Sequence, residues 1–89
     1  MGKVEVAAPD EKLFYQIFIT MCKYFNIPFE REAFVYLLQN WYRQNGRPLQ
    51  AVHPRDIIRT IMALCDYEGI QPKLTPELID DACRTYFVK

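Results

Sequence analysis

Four arginines lie between residues 41 and 59, in WYRQNGRPLQAVHPRDIIR, against a single acid, Asp56. Arginine suits bidentate contact with phosphate or carboxylate, because its planar fork presents several N–H groups at once. Arg43 and Arg47 precede a proline-containing stretch, whereas Arg55 and Arg59 follow Pro54 with i, i+4 spacing, which puts both on one face of a helix. A proline with φ already near the helical value suits the first position of a helix, so the sequence places Arg55 in an opening turn. A cation is unusual there. Unpaired N–H groups and a partial positive charge favour carboxylate or phosphate at a helix start, and a like charge is disfavoured unless an anion joins it. Two readings stand: an arginine that meets an external anion, or an ordinary surface arginine paired to Asp56 or to a neighbouring helix.

The remaining chemistry is sparse. The sequence has no GxxxxGK[ST] loop, GxGxxG, HExxH or GxSxG. His53 is the only histidine; with Asp56 it has the elements of a general base, but the nearest hydroxyl, Thr60, comes well after them on the same helix. His53 is therefore read as capping or flanking the helix. Asp80 and Asp81 are adjacent, so on a helix they diverge by about 100° and make a solvated face rather than a working pair. Cys22, Cys65 and Cys83 lack metal-ligand spacing and fall in apolar runs, which reads as reduced core thiols.

These groups sit on a chain of 89 residues, half of them apolar, with six Phe, six Tyr and one Trp. That suffices for one aromatic-rich domain. Eleven basic and eleven acidic side chains cancel, which argues against binding nucleic acid or an anionic membrane by bulk charge. With no apolar run of membrane-spanning length and no signal-peptide pattern, the expected location is the cytoplasm. Residues 1–8 read as a leader or linker ahead of a helical unit at 9–89.

Apolar spacing predicts an all-α, four-helix bundle. The first helix, at 10–25, buries Leu13, Phe14, Ile17, Phe18, Met21 and Phe25. The second, at 30–44, buries Phe34, Leu37, Leu38, Trp41 and Tyr42, and the third, at 54–68, buries Ile57, Ile58, Ile61, Met62 and Cys65. The fourth opens at Thr75-Pro76 and buries Leu78, Ile79, Ala82, Cys83 and Tyr86. Tyr15, Ile19, Tyr24, Val35, Tyr36 and Phe87 are left over, to fill the core or to form a docking surface.

Four stretches, Ile17-Phe18 with Cys22, Gly46-Arg47-Pro48-Leu49, His53-Pro54-Arg55-Asp56, and Leu74-Thr75-Pro76-Glu77-Leu78-Ile79 through Ala82-Cys83-Arg84 and Tyr86-Phe87, carry a resemblance. Together they are similar to the C-terminal helical lid of AAA+ ATPases, in particular a group of predicted bacterial ATPases whose third lid helix opens with His-Pro-Arg-Asp. The resemblance implies a small helical bundle in which Arg55 is a sensor 2-like residue reaching the γ-phosphate of ATP, with His53, Arg59 and Arg47 in support. It also implies that ATP and magnesium are held by an α/β subdomain of the same parent chain, with neighbouring subunits of an oligomer as further partners. The 89 residues would not catalyse hydrolysis alone. Many sensor 2 motifs have a small residue such as Gly before the arginine's turn, where this chain has Ala51-Val52-His53. Two alternatives remain: a protein-interaction module without nucleotide, and a DNA-binding domain. The second is disfavoured by the long 45–53 connection and by Asp56, Asp66 and Glu68 on its would-be recognition helix.

Overall fold

The computed structural model describes residues 9–88, so the leader read at 1–8 lies outside the described residues. Four α-helices follow one another: α1 (Glu11–Phe25), α2 (Arg31–Leu37), α3 (His53–Glu68) and α4 (Pro76–Phe87), with a π-helical segment, Leu38–Arg43, continuing α2. No strand occurs among the described residues. The chain is an all-α bundle, and the helix ends are set by local chemistry. Asp10 accepts from the Leu13 N–H at 2.8 Å to start α1, and Thr75 accepts from Leu78 at 3.1 Å to start α4, where Pro76 follows without needing a donor. Asn26 closes α1 and Gly69 closes α3, both in the left-handed conformation (φ 60° and 69°).

α3 packs on both α1 and α4, and α4 also contacts α2. Phe14, Phe18, Leu37, Ile57, Ile58, Ile61 and Ile79 are all fully buried between them. The Phe34 ring lies 5.1 Å from Phe18 and 6.1 Å from Phe14. Cys22, Cys65 and Cys83 are free and belong to this core. Burial pushes the Cys22 and Cys83 thiols up to about 12, so they act as apolar filler rather than nucleophiles.

Two expectations need correction. The buried line of α1 is Phe14, Phe18 and Cys22, four residues apart, and Leu13 is 47% exposed because this line is narrower than the apolar stripe in the sequence. The helix read at 30–44 is continuous but changes pitch at Leu38. Among the leftover apolar residues, Tyr36 and Phe87 are half-buried in contacts described below, whereas Tyr15, Tyr24 and Val35 are exposed.

Candidate functional site

The third helix begins one residue earlier than Pro54. His53 is its first residue, Pro54 its second, and Val52 precedes it without a side-chain cap. The His53 N–H donates to the Gln50 carbonyl at 3.1 Å, and the Asp56 N–H to the Val52 carbonyl at 3.2 Å. Pro54 has no N–H. The α3 start therefore offers an anion little backbone hydrogen bonding, and recognition there falls to side chains.

The four arginines divide into two pairs. Arg43 grips Glu11 with two nitrogens, at 2.6 and 3.1 Å, and so links the end of the π segment to the start of α1. Arg47 lies with its guanidinium carbon 4.0 Å from the centre of the Phe87 ring, and its Nε donates to the Trp41 carbonyl at 3.2 Å. Both are engaged within the domain, Arg43 at the surface and Arg47 partly buried. Arg47, which the resemblance gives as a supporting phosphate-site residue, is half-buried and lies over an aromatic face.

Arg55 and Arg59 face outward. The Arg55 side chain is 50% exposed, and among the described residues only its Nε is engaged, donating to Asp56 Oδ1 at 3.2 Å. The pairing with Asp56 that the sequence left open is thus present. It uses Nε, and among the described residues neither terminal nitrogen has a hydrogen-bond partner. Asp56 Oδ2 in turn accepts from the Tyr86 hydroxyl of α4 at 2.7 Å. Burial raises the Asp56 carboxyl, but the bonds from Tyr86 and Arg55 and the charges of Arg55 and Arg59 outweigh it and hold the carboxyl below its usual value. The Tyr86 hydroxyl is pushed up to about 12 by burial and by its bond to Asp56. It remains a donor at neutral pH.

His53 does more than flank the helix. It is 8% exposed, its Nδ1 lies 2.8 Å from the Tyr42 hydroxyl, and its ring meets Tyr86 and Phe87 edge-on at 5.6 and 5.1 Å. Burial, and then the charge of Arg47, lower its pKa, so the ring is neutral at pH 7. Burial raises the Tyr42 phenol well above its ordinary value, which keeps that proton in place. His53 is a packed, hydrogen-bonded element at the start of α3, not a poised base.

A second polar cluster was not legible in the sequence. Asp80, read as part of a solvated face, is half-buried and accepts from the Tyr36 hydroxyl at 2.7 Å and from Trp41 Nε1 at 2.9 Å. The π segment explains this geometry. In an α-helix a five-residue step leaves side chains about 140° apart, whereas the wider π turn brings Trp41 round toward the side that Tyr36 occupies. Asp81 is exposed as expected and pairs with Arg84 at 3.0 Å. The only available signal was the Tyr36/Trp41 spacing opposite an acid on another helix.

Two surface hollows are lined by residues other than Arg43, Arg47, Arg55 and Arg59. One of about 340 Å³ is bordered by Pro28, Ala33, Lys73 and Pro76, and another by Arg31, Val35, Tyr36 and Gln39. No group of His, Cys, Asp and Glu among the described residues is arranged to hold a metal, and no described helix is long and apolar enough to cross a membrane.

No curated protein and no solved structure shows significant similarity to the chain. Residues 10–85, which run from the Asp10 cap of α1 into the last turn of α4, match a family described as a domain of unknown function, DUF8689. The match reaches all four helices, α4 as far as residue 85, and includes Asp56 and Asp80 but not Tyr86; the chain belongs to this family.

Proposed function

We propose that this domain is the helical lid of a cytoplasmic AAA+ ATPase, in which Arg55 contacts the γ-phosphate of magnesium-ATP bound on an α/β subdomain outside these 89 residues. One observation carries the reading: Arg55 is held by its Nε at the start of α3 while its side chain is half exposed and, among the described residues, its two terminal nitrogens have no hydrogen-bond partner. A guanidinium so presented can form the planar fork that a phosphate accepts. Arg59 stands one turn further along as a second outward charge. The domain supplies neither a phosphate loop nor a metal-binding acid, so it would stabilise charge and couple nucleotide state to domain motion.

The protein-interaction reading draws support from a different feature, the exposed aromatics Tyr24 and Tyr67, at 77% and 89%. One experiment separates the two. The natural reading frame is sequenced for a GxxxxGK[ST] loop upstream of this segment, and ATP turnover of the encoded protein is measured with and without Arg55→Ala. A slowed but folded variant supports the lid; unchanged turnover, or an absent loop, removes it.

A further inference from the structure

We propose that Tyr86 and Asp56 are positioning residues for Arg55, so that the last turn of α4 sets how this arginine meets a phosphate; the inference rests on the lid reading above. Neighbouring side chains on a helix diverge by about 100°, so an arginine has no inherent reason to rest on the aspartate that follows it. Here the aspartate is fixed first. The Tyr86 hydroxyl holds Oδ2 at 2.7 Å, which turns Oδ1 toward Arg55 Nε at 3.2 Å. Tyr86 is itself confined, with its ring 5.0 Å from Phe87 and 5.6 Å from His53. The order of constraint thus runs from the packed aromatic cluster to the hydroxyl, to the carboxylate and then to the guanidinium.

Each step fixes a more exposed group than the last. Asp56 retains 22% of its side-chain surface and Arg55 retains 50%. A long side chain that would otherwise sample many rotamers is held by one edge, and the edge left open is the one a phosphate needs. Two ties between α3 and α4 need no arginine: the apolar core, and the Tyr86–Asp56 bond itself. What the arrangement adds is direction.

The test combines the isolated chain and the intact ATPase. In nitrogen-15 spectra of the 89-residue chain, Tyr86→Phe should move the Arg55 Nε–H resonance toward that of exposed Arg59 while the backbone amide pattern of α1 and α2 stays in place. In the ATPase, Tyr86→Phe should lower kcat roughly three- to tenfold with KM changed by less than about twofold, because only the aim of a transition-state contact is lost. The Arg55→Ala/Tyr86→Phe double variant should be no slower than Arg55→Ala alone. Asp56→Asn, which keeps size and one acceptor, provides a second variant should Tyr86→Phe fold poorly, and it should show the same non-additivity. An unmoved Arg55 resonance, or additive losses in the double variant, overturns the positioning role. Wild-type kcat in both Tyr86→Phe and Asp56→Asn beside a slow Arg55→Ala also overturns it, and leaves the lid reading intact. Unchanged turnover in Arg55→Ala overturns the lid reading, and the positioning role with it.

Discussion

Asp56 and Asp80 are nearly matched in their surroundings and differ chiefly in the second hydrogen-bond donor; Arg84 also stands 3.9 Å from Asp80 Oδ2. Each carboxylate is half-buried and accepts from a tyrosine hydroxyl at 2.7 Å across two helices. The second donor is Arg55 Nε at 3.2 Å on Asp56, but Trp41 Nε1 at 2.9 Å on Asp80. An indole has one N–H, which is used up once that bond forms, and Arg84, which donates to Asp81, reaches Asp80 only at 3.9 Å, beyond hydrogen-bond distance. A guanidinium has five, and the Asp56 cluster therefore ends in donors that have no partner among the described residues, on a half-exposed side chain. The same device, a phenol fixing a carboxylate between helices, completes a tie between α2 and α4 at one place and presents a cation at the other.

The largest expected effect tests whether the open cluster is functional. Arg55→Ala should cost about tenfold to a thousandfold in ATP turnover of the intact enzyme, with Arg55→Lys restoring only part of it. The same substitution should change domain stability by less than about 0.5 kcal/mol, since the side chain makes one bond and is half exposed. A destabilisation of several kcal/mol with no specific loss of turnover would make Arg55 an architectural residue like Trp41, and the contrast would collapse.

Next in size is the Asp80 cluster. Asp80→Ala leaves the Trp41 N–H without its acceptor in a half-buried site and should destabilise the domain by about 2 kcal/mol, lowering the melting temperature by roughly 10 °C. Trp41 is the sole tryptophan, so its fluorescence reports the unfolding directly. Turnover per folded molecule should be unaffected. Asp56→Ala should cost less stability, about 1 kcal/mol in chemical denaturation, because Arg55 can turn to water when its partner is gone. Equal losses at the two positions would mean that the difference in second donor has no energetic weight.

The sequence made the elements legible because their signals are local. Asp10, Asn26, Gly69 and Thr75-Pro76 fix helix ends within a turn, and the apolar spacing of α3 and α4 matches their buried faces closely. Arg55 was also legible, since a cation just after a helix-starting proline conflicts with local electrostatics. What each charge touches was not. Arg47 and Arg55 are the same residue type eight positions apart, yet one lies on Phe87 and the other faces water, and that outcome depends on where α4 ends. Asp80 was misread because its partners become neighbours only through the π segment, which no residue preference in Leu38–Arg43 announces.

The smallest expected effect is a pH dependence centred on the open cluster. His53, the only histidine, is buried and neutral against Tyr42, Tyr86 and Phe87, with Arg47 close enough to disfavour its charge and Asp56 offsetting this in part. Its folded pKa therefore lies below the ordinary value of 6.5. As pH falls through that value the unfolded chain takes up a proton first, so stability is fully present above it and declines below it, by at most about 1.4 kcal/mol per pH unit. Asp56, whose folded pKa is also lowered, acts in the same direction but only below its ordinary 3.8, so the two windows separate. Thermal melts between about pH 7.5 and pH 5 should show a shallow decline that His53→Gln removes. Over the same range the Tyr86 and Arg55 resonances should shift while that of Tyr36 holds still, because protonated His53 acts on Tyr86 and Arg47 whereas the Tyr36 hydroxyl is tied to Asp80; Trp41, whose carbonyl accepts from Arg47, is expected to follow the first group. A decline that persists in His53→Gln, or a resonance shift shared by Tyr36, would show that the two carboxylate sites are one cooperative unit rather than two.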